Sequence, residues 1–115
     1  MAALTEREAI IVSIKKWEYL AETGEYRRWI KGITTDDMPH GCALCLFAGQ
    51  PLYGFRGIQR YRCSKCPYAK KFRCCVNRGQ PFLNWERLDN NDTPEGQESR
   101  KKYARLFLEQ LKQLA

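Results

Sequence analysis

The spacing of six cysteines constrains this chain more than any other feature. They stand as Cys42-x2-Cys45-x17-Cys63-x2-Cys66-x7-Cys74-Cys75. The first four match paired C-x2-C steps separated by about 15–20 residues, the arrangement of a tetrahedral zinc site. Two residues between thiolates let a tight turn aim both sulfurs at one ion roughly 2.3 Å away, and a second such turn completes the shell. The metal ligands expected are therefore Cys42, Cys45, Cys63 and Cys66, with Cys74 and Cys75 as substitutes for Cys63 or Cys66. His40, the sole histidine, lies two residues before Cys42 and is a further candidate. The expected cofactor is Zn2+. An iron–sulfur cluster is the alternative, because Cys66-Pro67 echoes the cysteine–proline step of ferredoxin motifs and four thiolates also suit that centre.

The flanking segments read as helices. Thr5 and Glu8 form a capping-box pattern, and Ile10, Ile14, Trp17, Leu20 and Ala21 recur at helical spacing until Gly24. A short helical stretch over residues 25–31 is expected next, before the turn at Gly32 and the polar cluster at 34–37. Thr93-Pro94 supplies a cap followed by proline at the first helical position, which predicts a helix from 94 to the end. Tyr103, Leu106, Phe107, Leu111 and Leu114 give that helix an apolar face, and Arg100, Lys101, Lys102, Arg105 and Lys112 are expected on its solvated face. The two apolar stripes should pack on each other. Between them the chain is rich in glycine and proline, so long regular elements are not expected. Weak alternation over 52–62 suggests a short hairpin strand, and 81–88 suggests one or two helical turns.

The fold class expected is α+β, mainly α: N- and C-terminal helices packed around an irregular, zinc-ribbon or knuckle-like centre. All 115 residues are assigned to one domain, with a helical segment at 1–37, the cysteine-rich segment at 38–92 and a terminal helix at 93–115. A chain this short leaves much surface unburied on folding, so a metal that ties its least regular part would matter to stability.

Charge follows the same division. Residues 1–37 sum to −1, residues 38–85 to +8 and residues 86–115 to zero, giving the net +7. No acidic side chain lies between Asp37 and Glu86. A zinc ion with four thiolates carries −2, so nearby cations partly balance an anionic centre. The remaining charge suits an anionic partner, either nucleic acid or an acidic protein. Arg60, Arg62, Lys65, Lys70, Lys71 and Arg73 flank the second cysteine pair and form the candidate contact surface. Tyr53, Phe55, Tyr61, Tyr68 and Phe72 are interleaved with them as stacking groups.

Enzyme activity is not expected. The metal segment contains no carboxylate to act as general base, and the histidine-x-glutamate step of the zinc deaminases is missing. His40 is too close to Cys42 in sequence to suggest a built nucleophile–base pair, and no phosphate-binding or dinucleotide fingerprint occurs. A redox-active C-x2-C pair is the remaining chemical alternative. The apolar run near the N-terminus is too short for a signal peptide and no run approaches a membrane span, so a reducing cytoplasm is the expected location. No membrane partner and no small-molecule substrate are indicated.

The run Cys42-Ala43-Leu44-Cys45, Cys63-x2-Cys66-Pro67, Cys74-Cys75 and Gly79-Gln80-Pro81-Phe82-x2-Trp85 resembles a group of small cysteine-rich proteins from bacteriophages and bacterial genomes. Their shared pattern is CxLC, CxxCP, a further cysteine and a Thr-Pro-Tyr-x-x-Trp step, preceded by a lysine–tryptophan pair like Lys16-Trp17. The likeness covers residues 13–88. It implies a phage or prophage source, hence a bacterial cytoplasm, and cysteines acting as a set; it implies no activity. The chain departs from the pattern at Gln80, Phe82 and the doubled cysteine. A phage protein that binds and modulates a host defence or nucleic-acid-handling factor is accordingly the alternative to nucleic-acid binding.

Overall fold

Thr5 opens the first helix by a reciprocal cap: its backbone N–H donates to Glu8 Oε1 at 2.9 Å, and the Glu8 N–H donates to Thr5 Oγ1 at 3.1 Å. The computed structural model describes residues 4–36, 38, 41–48, 65–73, 75, 78–88 and 93–115. Helix α1 (Glu6–Thr23) ends at Gly24, whose φ of 71° is the left-handed conformation that glycine adopts without steric cost. Helix α2 (Ala43–Phe47) and helix α3 (Pro67–Phe72) are short, and helix α4 (Pro81–Arg87) follows Gln80 with proline at its first turn. Helix α5 (Pro94–Lys112) starts where Thr93 Oγ1 accepts from the Gly96 N–H at 3.1 Å.

These helices meet because their stripes are complementary. Ala9, Ile10, Trp17, Leu20 and Ala21 of α1 face Ala104, Phe107, Leu108 and Leu111 of α5, and all are buried. Trp17 lies at the centre of an aromatic cluster, edge-on to Trp85 and Phe107 with ring centroids 4.8 Å away in both cases. Such pairs contribute about 0.5–1.5 kcal/mol each beyond the area they bury. Helix α4 brings Phe82 and Trp85 to this cluster and packs along α5, while α2 packs on α1. The indole N–H of Trp85 is buried and finds no hydrogen-bond partner among the described residues.

The described residues are mainly helical and contain no strand. The two terminal helices, their packing and the helical turns at 81–87 follow the sequence pattern. The strand expected over 52–62 lies outside the described residues. Residues 25–31 are not helical. Tyr26 instead stacks on Trp85, with centroids 4.7 Å apart and planes 15° from parallel, and its hydroxyl donates to the Glu86 carbonyl at 3.2 Å. Arg28 pairs with the Glu86 carboxylate at 3.0 Å. These tertiary contacts hold the segment against α4 and outweigh its weak helical tendency.

Arg100 also departs from expectation: it is buried rather than solvated, because its guanidinium caps the carbonyl of Gly24. Leu106, assigned to the apolar face, is 46% exposed. The stripe of α5 runs instead through Arg100, Ala104, Phe107, Leu108 and Leu111.

Candidate metal centre

Cys42 and Cys45 bracket the start of α2, and the two residues between them explain their position. Ala43 and Leu44 are buried against α1, so the hydrophobic anchoring of the turn fixes both sulfurs at the same edge of the core. Cys66 precedes α3 in the same way, followed by buried Pro67 and Tyr68. Tyr68 seats α3: its ring lies 5.0 Å from Phe107, and its hydroxyl is 2.6 Å from Gln110 Oε1. Gln80 Nε2 then donates to the Phe72 carbonyl, joining the end of α3 to the start of α4. Each half of the cysteine set thus rides on a short helix fastened to the terminal-helix core.

The thiols interact across these segments. The Cys42 sulfur accepts from the Cys45 thiol and from the backbone N–H groups of Cys45 and Leu44. The Cys45 bond is the main reason that Cys42 falls to about 6, with the Lys16 ammonium adding to the effect against the cost of burial. Cys45 moves the other way, chiefly because it donates to Cys42, and the further thiols Cys75 and Cys66 raise it too. The N–H groups directed at Cys42 are those that stabilise a thiolate at a metal knuckle.

Cys42, Cys45, Cys66 and Cys75 are half-buried thiols, and no disulfide joins them. Cys63, Cys74 and His40 lie outside the described residues. Among the described residues no group of three or more histidine, cysteine or acidic side chains forms a site able to hold a metal ion as it stands. What is brought together is the Cys42–Cys45 pair, with Cys66 and Cys75 near enough to act on it electrostatically. A donor set of sulfur only is of the chemical kind that holds zinc or iron.

Lys16 was not singled out by the cysteine pattern, yet it stands behind the site. It is 4% exposed, and its Nζ donates to the Gly41 carbonyl at 3.0 Å. Burial lowers its pKa while the Cys42 and Cys45 sulfurs raise it. A signal existed in the sequence: Lys16 is three residues beyond Ser13 and four before Leu20, on the buried stripe of α1. Gly41 is equally specific. Its φ is 72°, and a Cβ there would meet the Arg28 carbonyl oxygen at 1.9 Å, so only glycine permits this approach.

Of the candidate contact residues, Lys65, Lys70, Lys71 and Arg73 are exposed around α3, whereas Arg60 and Arg62 lie outside the described residues. Lys71 Nζ donates to the Gln113 carbonyl at 3.2 Å, which sets this cationic group beside the end of α5. Arg73 holds φ 74° and ψ 174°, a conformation rare for any residue but glycine. Tyr68, expected as a stacking group, is instead buried in the core, whereas Trp29 is 47% exposed and flanked by exposed Arg27 and Lys31. No helix of the described residues is long and apolar enough to cross a membrane. No protein-family model, curated protein or solved structure matches the chain.

Proposed function

We propose that this chain is a small structural-zinc protein of phage type that binds nucleic acid through a cationic surface. The observation that carries the metal reading is that cysteines from two segments far apart in sequence, Cys42 and Cys45 at the start of α2 and Cys66 at the start of α3, are each set beside buried residues of the same core. Zinc would be held by Cys42, Cys45, Cys66 and one further cysteine, Cys63 or Cys75, in a knuckle-like centre between the terminal helices. Its role there is to close a shell that the short α2 and α3 cannot close by packing alone. No reaction is assigned to it.

The nucleic-acid reading rests on Lys65, Lys70, Lys71 and Arg73, exposed on and around a helix that carries one of the thiols. Cations fixed on a rigid support neutralise phosphates, and each contact releases condensed counter-ions. Trp29, between Arg27 and Lys31, adds an aromatic face of the kind on which bases stack.

Two measurements test this. Protein purified without oxygen should contain one zinc per chain and be colourless; iron with sulfide would replace zinc by a cluster and make electron transfer the leading reading. The zinc-loaded protein should then bind a fluorescent single-stranded oligonucleotide, with log affinity falling by about 0.7 per phosphate contact for each tenfold rise in salt. The double change Lys70→Glu, Lys71→Glu should weaken binding and flatten that slope. Zinc-loaded protein that ignores nucleic acid at low salt would transfer the basic surface to the alternative, an acidic host protein.

A further inference from the structure

A lysine ammonium taken out of water needs an anion close by, and the position of Lys16 makes that requirement acute. It lies on the buried face of α1 with 4% of its surface exposed. Among the described residues its Nζ donates one hydrogen bond, to the Gly41 carbonyl at 3.0 Å, and it sits 5.6 Å from the centroid of the Trp17 ring. A carbonyl and a ring face orient a cation without neutralising it. Among the described residues no carboxylate pairs with it. That carbonyl belongs to the residue preceding Cys42, which sets the ammonium at the entry to the Cys42–Cys45 turn; among the described residues those two thiols and the cationic Arg28 act on it electrostatically.

We infer that Lys16 is the internal counter-ion of the thiolate metal centre. It is a positioning residue, not a ligand. The ammonium offsets one unit of the −2 charge that four thiolates leave on a zinc ion, and through Gly41 it fixes the backbone that leads into Cys42. The two roles are linked: a metal-bound sulfur set offers the buried cation negative charge, and the cation reduces the negative charge of a half-buried site. The inference rests on the metal reading given above and adds to it the group that sets the strength of the site.

Three variants of the full chain separate charge from packing. Lys16→Gln keeps a donor for the Gly41 carbonyl but drops the charge, Lys16→Met drops both, and Lys16→Arg keeps the charge. Each is loaded with Zn2+ and competed against a chromophoric chelator, and Co2+ substitution reports the ligand set by its visible spectrum. Helical content by circular dichroism shows that the variant compared is folded. Lys16→Gln and Lys16→Met should bind Zn2+ about 10–100-fold more weakly than the unaltered protein, the usual effect of removing a group that supports metal ligands. Lys16→Arg should recover most of the loss, and the Co2+ spectrum should keep its tetrahedral thiolate form throughout.

If Lys16→Gln binds Zn2+ as tightly as the unaltered chain, the charge is irrelevant and the inference is overturned, while the metal reading stands. If the unaltered chain binds neither Zn2+ nor Co2+, the metal reading itself falls and takes the inference with it. Should Lys16→Met fail to fold, Lys16→Gln decides. Asp37, outside the described residues, is controlled by Asp37→Asn, which should leave affinity unchanged; a loss equal to that of Lys16→Gln would make Asp37 the counter-ion and overturn the assignment.

Discussion

The Nε–H of Arg100 donates a 2.6 Å hydrogen bond to the carbonyl of Gly24, so a buried guanidinium from α5 closes the C-terminal end of α1. The last carbonyls of a helix lack partners within it, and here a charged donor 76 residues away supplies one. The same contact fixes the register of the two terminal helices.

Arg100→Met should therefore keep most of the packed volume yet lose a charge-assisted bond and strand a buried carbonyl. A loss of about 2–3 kcal/mol is expected. Urea denaturation should show the midpoint falling with little change in slope. A change within experimental error would mean that the guanidinium only fills space.

Gly41 and Gly32 provide a matched comparison of left-handed glycines, with φ of 72° and 85°. Alanine at 32 meets nothing within 4 Å, so only the backbone strain of about 1 kcal/mol is expected. Alanine at 41 would place its Cβ 1.9 Å from the Arg28 carbonyl and must displace either the 25–31 segment or the turn into Cys42. Gly41→Ala should cost more than about 3 kcal/mol and reduce zinc affinity as well, measured by denaturation and chelator competition. Equal behaviour of the two variants would remove Gly41 from any role at the site.

Local signals were sufficient for the terminal helices, since the Thr5–Glu8 cap, Gly24 and the Thr93-Pro94 step each specify a boundary within a few residues. The 25–31 segment departs from its helical pattern because its conformation comes from Tyr26 on Trp85 and Arg28 on Glu86, contacts 58–60 residues apart in sequence that no short window contains. Arg100 and Lys16 were obscured for a related reason. Charged residues on a helix are ordinarily solvated, and only the position of a carbonyl or sulfur across the core reveals why these two are not. Short α2 and α3 carry few periodic residues, so their existence rests on the buried pairs Ala43-Leu44 and Pro67-Tyr68.

Glu8 should make stability depend on pH. Its bonds to the Thr5 backbone and hydroxyl hold its carboxyl below the ordinary value of 4.5. The charged form is favoured in the folded chain, so its contribution is complete above about pH 4.5 and is lost as pH falls through the lower folded value. Wild type and Glu8→Gln should differ in thermal midpoint at pH 7, and the gap should close by pH 3. A gap that persists in acid would show that the amide and carboxylate differ for reasons other than charge.

Trp29 is the only tryptophan of the three with substantial exposure, at 47% against 4% for Trp17 and 1% for Trp85. A ligand that stacks at the surface therefore reaches Trp29 in preference to the two buried indoles. A single-stranded oligonucleotide should quench the emission of zinc-loaded protein, and Trp29→Ala should abolish quenching and weaken binding by about 1–3 kcal/mol, the range for one stacked base. Binding without quenching would confine contact to the cationic face of α3.

Arg73 offers a test in which stability and affinity move in opposite directions. At φ 74° and ψ 174° it terminates α3 in a region where a side chain costs about 1–3 kcal/mol. Glycine occupies that conformation freely, although it loses more entropy on folding, so Arg73→Gly should stabilise the protein by about 1 kcal/mol. The same change deletes an exposed cation beside Lys70 and Lys71, and if Arg73 contacts phosphate, oligonucleotide affinity should fall and its salt slope should shrink by about 0.7. A variant gaining stability while its affinity and salt slope stay unchanged would exclude Arg73 from the contact surface; a loss of stability would mean that its side chain repays the strain through folding instead.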